Sequence, residues 1–266
     1  MDLKLNGKHA LVTGGSRGIG LACARQLARE GCAVMLAARD AVALEAAARS
    51  ITEEFDAVVG TCQVDTASDA SVRAMVQAAR DQLGGVDILV NAAARVAGQS
   101  APPKLAEITD QLFWDDINVK VMGYLRAARE VAPLMIARGW GRIVNISGLA
   151  ARQTGSAIGS IRNVGVAALT KNLADELGPH GINVTCVHPG LTRTEKTAPL
   201  VAARAAAAGK TPEEIETAMA AGTLLGRLVT AEEVADLVAF LASPRSVSIN
   251  GDAIACGGGA KGSIHY

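Results

Sequence analysis

The sequence has very few aromatic residues: three Phe, two Tyr and two Trp in 266, or 3% of the chain. Proteins that grip single-stranded nucleic acid need exposed aromatic faces on which bases stack, and this chain has almost none to offer. It also lacks an excess of charge of either sign. Twenty-six basic and 26 acidic residues give a formal net charge of zero, so no field draws in phosphate polymers or anionic lipid. Nucleic acid and membranes are therefore excluded as expected partners. Cysteines are few, scattered and odd in number: Cys23, Cys32, Cys62, Cys186 and Cys256, with no CxxC pair. They read as small buried hydrophobes, not as a disulfide framework or a metal site. No apolar run approaches the ~20 residues that cross a bilayer, and the opening segment, residues 1–8, has no apolar stretch of signal-peptide length. A soluble, cytoplasmic protein is expected.

What the chain has is apolar bulk in small units. Half of it is hydrophobic, with 28 glycines and many alanines. Small side chains let helices approach a sheet closely, which favours layered α/β packing. Short apolar runs at residues 9–13, 33–38, 57–63, 86–90, 142–146, 182–187 and 252–256 read as strands. Between them lie helical patterns at 18–30, 41–53, 70–83, 111–138, 164–178 and 231–242. Buried strands alternating with amphipathic helices predict a doubly wound parallel sheet flanked by helices. The alternation runs without a linker or change of composition, so residues 1–266 read as a single domain. The alanine-rich stretch 195–225 is a long insertion on the side where such sheets bind ligands. It is expected to be a lid.

The sharpest motif is Thr13-Gly14-Gly15-Ser16-Arg17-Gly18-Ile19-Gly20, directly after the first strand and opening the first helix. Glycines permit the tight turn, and the unpaired N–H groups at the helix start face an anion. A strand, glycine-rich turn and helix in that order predict a Rossmann-type dinucleotide site, with the diphosphate on Gly14, Ser16, Arg17, Gly18, Ile19 and Gly20.

With its companions this motif resembles the short-chain dehydrogenase/reductase family, and the resemblance covers nearly the whole chain. The companions are Asp65, Asn91-Ala92-Ala93, Asn118, the run from Arg142 to Ser147, Pro189-Gly190 with Thr192 and Thr194, and Gly251 ahead of Gly257-Gly258. The family pattern puts Asp65 near an adenine amino group and Asn91, Ala92 and Ala93 along the adenine ribose. It puts Pro189, Gly190, Thr192 and Thr194 around a nicotinamide. Where an acidic residue after the second strand would hold a ribose 2′-hydroxyl, this strand ends Ala38-Arg39-Asp40. Arg39, with Arg17 in the turn, suits a 2′-phosphate through charge-assisted bonds. NADP is therefore favoured over NAD, although a register shift of one would make Asp40 the ribose ligand. The resemblance also implies a homotetramer or homodimer acting on a small molecule.

Members of the family carry Ser and Tyr-x-x-x-Lys, supported by an Asn. Aligned on the run from Gly165 to Glu176, the tyrosine position falls on Gly159, the lysine position on Asn163 and the serine position on Gly148, next to Ser147. The chain's two tyrosines, Tyr124 and Tyr266, match neither. The candidates left for catalysis are Asn118 and Ser147. Ser160, Arg162 and His188 are lesser ones, and Arg193, Glu195 and Lys196 could meet substrate as the lid closes. The function expected is reduction of a carbonyl or enone by an unusual proton path. Two alternatives stay open: a cofactor-binding pseudoenzyme or sensor, and a non-redox enzyme (hydrolase, lyase or dehalogenase) on the same fold.

Overall fold

The computed structural model describes residues 1–95 and 102–261. Seven parallel strands form one sheet: β1 (His9–Thr13), β2 (Ala33–Ala38), β3 (Val59–Gln63), β4 (Ile88–Asn91), β5 (Gly141–Ile146), β6 (Ile182–Pro189) and β9 (Ala253–Cys256), in the order β3-β2-β1-β4-β5-β6-β9. A side pair, β7 (Thr192–Arg193) with β8 (Val229–Thr230), lies outside that sheet. The helices are α1 (Gly18–Arg29), α2 (Ala41–Phe55), α3 (Asp69–Leu83), α4 (Asp110–Ile117), α5 (Gly123–Arg138), α6 (Ala157–Leu177), α7 (Thr197–Ala208), α8 (Pro212–Ala220) and α9 (Ala231–Ala242). This is the predicted Rossmann-type α/β architecture.

Strand residues point alternately to the two faces, and both faces are apolar. Ala10, Val12, Val34, Leu36, Ile88, Val90 and Val144 join α1, α2 and α9 in one core layer. Leu11, Met35, Ala37, Leu89, Ile143 and Val184 join α3, α5 and α6 in the other. α1 packs against α9, and their buried alanines, Ala22, Ala24 and Ala28 with Ala235, Ala239 and Ala242, belong to the first of these core layers. The order reverses between β1 and β4, and a crevice opens at such a reversal beyond the carboxyl ends of the strands.

Three boundaries differ from the sequence reading. The helix expected at 111–138 is broken by a π-helical turn, Asn118–Met122, between α4 and α5. Arg126 anchors that turn, donating to the Asn118 backbone O and Oδ1, while the Thr66 hydroxyl donates to Val119 O. The helix expected from 164 begins at Ala157, because the Ser156 side chain caps it by accepting from Gly159 N. The insertion 195–225 holds two helices, α7 and α8, and Arg193 Nη2 donates to Glu216 Oε2 beneath them.

The cysteines are all free. Cys23, Cys32 and Cys186 are buried, and burial pushes the first two thiols up to about 12 and Cys186 up to about 11. Among the described residues no helix is long and apolar enough to cross a membrane.

Candidate active site

The carboxyl ends of β1, β4, β5 and β6 gather the motif residues into one cleft. Gly14 has φ +70°, and a Cβ there would lie 2.8–2.9 Å from the Ala92 and Ala93 backbone. Thr13 ties the same two segments together, its Oγ1 accepting from Ala92 N and Ala93 N at 3.2 and 3.4 Å. A Cβ on Gly20 would come within 2.2 Å of Gly14 O, so the turn closes only because both residues lack one. Asn91 is buried, and its Nδ2 donates to Asn145 Oδ1 at 2.9 Å; Asn145 Nδ2 in turn donates to the Thr170 hydroxyl. This chain of polar contacts pins β4 to β5 and β5 to α6.

On the far side of the cleft, Leu149 packs against Gly190 and Gly257. Thr192 donates its hydroxyl to Gly190 O, and the Thr194 methyl stands 3.7 Å from where a Gly18 Cβ would be. The segment just past β7 therefore meets the glycine-rich turn. Asp65 sits exposed just past β3, one oxygen accepting from Ala67 N. An apolar cavity of about 280 Å³, lined by Leu149, Leu225, Val229 and Cys256, adjoins Gly257.

Two charged side chains bear on what the cleft can hold. Glu195 Oε2 accepts from Gly18 N at 3.1 Å. The structure puts this carboxylate on the start of α1. An anionic oxygen thus stands where the helix dipole and free N–H groups favour one, so the turn fits a diphosphate. Asp40 is engaged twice. Its Oδ1 accepts from Ala43 N as the cap of α2, and its Oδ2 pairs with Arg17 Nη2 at 3.2 Å. Arg39 beside it is exposed, and among the described residues its guanidinium has no ion pair.

The catalytic candidates are brought near one another but are mostly engaged. Ser147 is buried and its hydroxyl donates to Asn163 O at 2.9 Å. Asn118 Oδ1 accepts from Arg126. Ser160 donates its hydroxyl to Gln153 O. Arg162, a lesser catalytic candidate from sequence, is buried and paired with both oxygens of Asp116 at 2.7 and 2.8 Å, locking α6 to α4. His188 is buried in β6, its Nδ1 3.9 Å from Cys186 Sγ. Tyr124 is buried and donates to Ile146 O; Tyr266 lies outside the described residues.

One residue escaped the sequence reading. Lys120, in the π-helical turn, is 4% exposed, and its Nζ donates to Ser147 O at 2.9 Å and to Asn163 Oδ1 at 3.0 Å. A lone lysine on a helix reads as solvated, and only its apolar neighbours Val119, Val121 and Met122 hinted otherwise. Burial, with Arg162 close by, pushes its ammonium down to about 7. Between that value and the ordinary 10.5 the unfolded chain binds more protons here than the folded one, so this group's contribution to stability rises with pH across that window.

The sequence matches the family profile described as enoyl-(acyl carrier protein) reductase over residues 14–261. The chain belongs to the short-chain dehydrogenase/reductase family. It is therefore an oxidoreductase by family. Among curated members it is 40% identical over 258 residues to a Streptomyces virginiae protein provisionally named as a ketoacyl reductase of the monensin polyketide synthase, covering 94% of this chain and 95% of that one. Among solved members, L-sorbose reductase from Gluconobacter frateurii, complexed with NADPH and L-sorbose, is 32% identical with a TM-score of 0.92, covering 99% of this chain and 100% of that one. A single-residue variant of an actinorhodin polyketide ketoreductase, with NADPH, is 32% identical with a TM-score of 0.87, covering 96% and 98%. Short-chain dehydrogenase/reductase topology thus extends over nearly all of the molecule.

Proposed function

We propose that this protein is an NADPH-dependent reductase of ketones, of the ketoacyl type its relatives are named for. The observation that carries the cofactor choice is the state of Asp40, whose carboxylate is taken up by the α2 cap and by Arg17. An aspartate so held does not reach for a ribose 2′-hydroxyl, while Arg39 and Arg17 present two guanidiniums to a 2′-phosphate. The N–H groups of Gly18 and Ile19 hold the diphosphate once Glu195 yields its place. Asp65 receives the adenine amino group, Asn91 to Ala93 flank the adenine ribose, and Pro189, Gly190, Thr192 and Thr194 bed the nicotinamide. When bound, NADPH supplies a hydride to the carbonyl carbon.

This reading treats Gly159 and Asn163 as occupants of the positions where relatives keep a tyrosine and a lysine. With no phenol to give a proton, the protein acts by positioning and by stabilising charge on the substrate oxygen; Ser147 shapes the site by holding the Asn163 backbone and Asn118 by holding the Arg126 guanidinium. Losing a general acid costs about 10²–10⁴-fold, so slow reduction of activated ketones is expected. Segment 195–225 is the lid over this cleft, latched where Glu195 meets Gly18. The test is NADPH consumption with ethyl acetoacetate, a β-ketoacyl thioester of N-acetylcysteamine and cyclohexanone. Turnover of at least one supports the reading. NADPH binding with no turnover of any would replace it with that of a cofactor-binding protein.

The exposed apolar side chains of the α4–α6 side, Leu112, Trp114, Met122, Ile161 and Val164, support a homotetramer or homodimer built there. Light scattering should give a mass of two or four chains, and Trp114→Glu with Ile161→Glu should return it to one; a monomeric parent protein would dismiss the idea.

A further inference from the structure

Only half of the Asn163 carboxamide is engaged. Its Oδ1 accepts from Lys120 Nζ at 3.0 Å. A lysine ammonium has three donors and no acceptor, so the amide is oriented with Nδ2 on the opposite side. A Cβ on Gly148 would lie 3.1 Å from that Nδ2. Gly148 has none, and among the described residues no acceptor pairs with Nδ2. Leu149, the next residue, packs on Gly190 and Gly257, so the space beside Gly148 belongs to the cleft at the ends of β5 and β6. Lys120 is wholly inside, held between Ser147 O and Asn163.

We propose that Asn163 Nδ2 is the hydrogen-bond donor for the substrate's carbonyl oxygen and that Lys120 is the positioning residue that orients and polarises it. The proposal rests on the reductase reading above and deepens it. A cation on the carbonyl side of a carboxamide makes its N–H a stronger donor, and at a buried site the effect is little screened. A lysine at 163 would instead set another cation against Lys120 and Arg162. Asparagine can accept from one side and donate on the other. As the reduced dinucleotide of that reading reduces the carbonyl carbon, the carbonyl π pair moves to oxygen and an alkoxide forms. Asn163 donates a hydrogen bond to it and loses no proton. The proton that completes the alcohol comes from cleft water, and buffer neutralises the hydroxide left behind.

The charge of Lys120 is set by what surrounds it. Asp116 of α4 and Cys186 of β6 favour the ammonium, whereas burial and Arg162 of α6 oppose it. His188 of β6 lies next to Cys186, and the Tyr124 hydroxyl of α5 is held neutral by burial that raises it far above its ordinary value. The protonated form is the polarising one, so activity should fall as pH rises through about 7.

Two measurements test this on the full-length protein. In spectra of protein labelled at lysine and asparagine side chains, the Asn163 amide protons should shift with the same midpoint as the Lys120 side chain. They should shift again on adding cyclohexanone in the presence of oxidised NADP. An Asn163 amide that follows neither Lys120 nor the ketone overturns the proposal. In steady-state ketone reduction, Lys120→Met should lower kcat about tenfold or more, remove the inflection near 7 and leave the KM for NADPH unchanged. Lys120→Arg, always charged, should keep activity flat across that pH. Wild-type kcat with the inflection intact in Lys120→Met also overturns it. If the parent protein reduces no ketone, the reductase reading fails by itself, and the spectra still decide the role of Asn163.

Discussion

Changing Arg39 to Asp should shift the ratio of NADPH to NADH affinity by about a thousandfold, roughly 4 kcal/mol. The effect has two parts. Arg39 stands exposed at the end of β2, beside an Asp40 already occupied by α2 and Arg17. Removing it deletes a charge-assisted pair with the 2′-phosphate, a contact of about 1.5–3 kcal/mol. The new carboxylate then repels that phosphate and can accept from a 2′-hydroxyl instead, which strengthens NADH. Equilibrium titration of the variant with both dinucleotides reads the ratio directly. A ratio within about threefold of the parent's would mean that Arg39 is only a solvated residue at the start of α2. The fold should be untouched, because the Arg39 side chain is exposed and its tertiary hydrogen bond is made by its backbone O, which accepts from Gln63 Nε2.

The second large effect is expected at Gly14. It sits at φ +70°, and its would-be Cβ meets the Ala92 and Ala93 backbone at 2.8–2.9 Å. Gly14→Ala therefore carries strain twice: an unfavourable backbone conformation and a clash with main chain that cannot rotate away. A cost of about 2–4 kcal/mol in folding stability follows. Relief comes only by pushing the β1 turn from the β4 end, which separates the two halves of the dinucleotide cleft. NADPH affinity should fall about a hundredfold or more in whatever fraction stays folded. Thermal unfolding and ligand titration measure the two losses separately. The alanine variant binding NADPH as the parent does would show that the turn does not form the cofactor site.

Much of this was legible in the sequence because it depended on local pattern. Short apolar runs marked the sheet because both of its faces are buried, and the turn from Thr13 to Gly20 announced itself through glycines the backbone requires. The start of α6 was not legible. Gly159, Ser160 and Asn163 are poor helix formers, and this stretch is helical because Ser156 caps it and Asp116 and Lys120 hold Arg162 and Asn163 from other elements. The π-helical turn was hidden for a similar reason, since Arg126 and Thr66 fix it through side chains that a periodicity count ignores. Lys120 followed from that turn. Its partner Asn163 lies 43 residues along the chain, and no local rule links the two. What stands beside Gly159 and Asn163 required the fold.

The central claim is that the cleft is built for NADPH, and titrating the unmodified protein with NADPH and NADH by ligand fluorescence tests it most directly. NADPH should bind at least about thirtyfold more tightly, the worth of roughly 2 kcal/mol at the 2′-phosphate. Equal affinities, or tighter binding of NADH, would contradict the account.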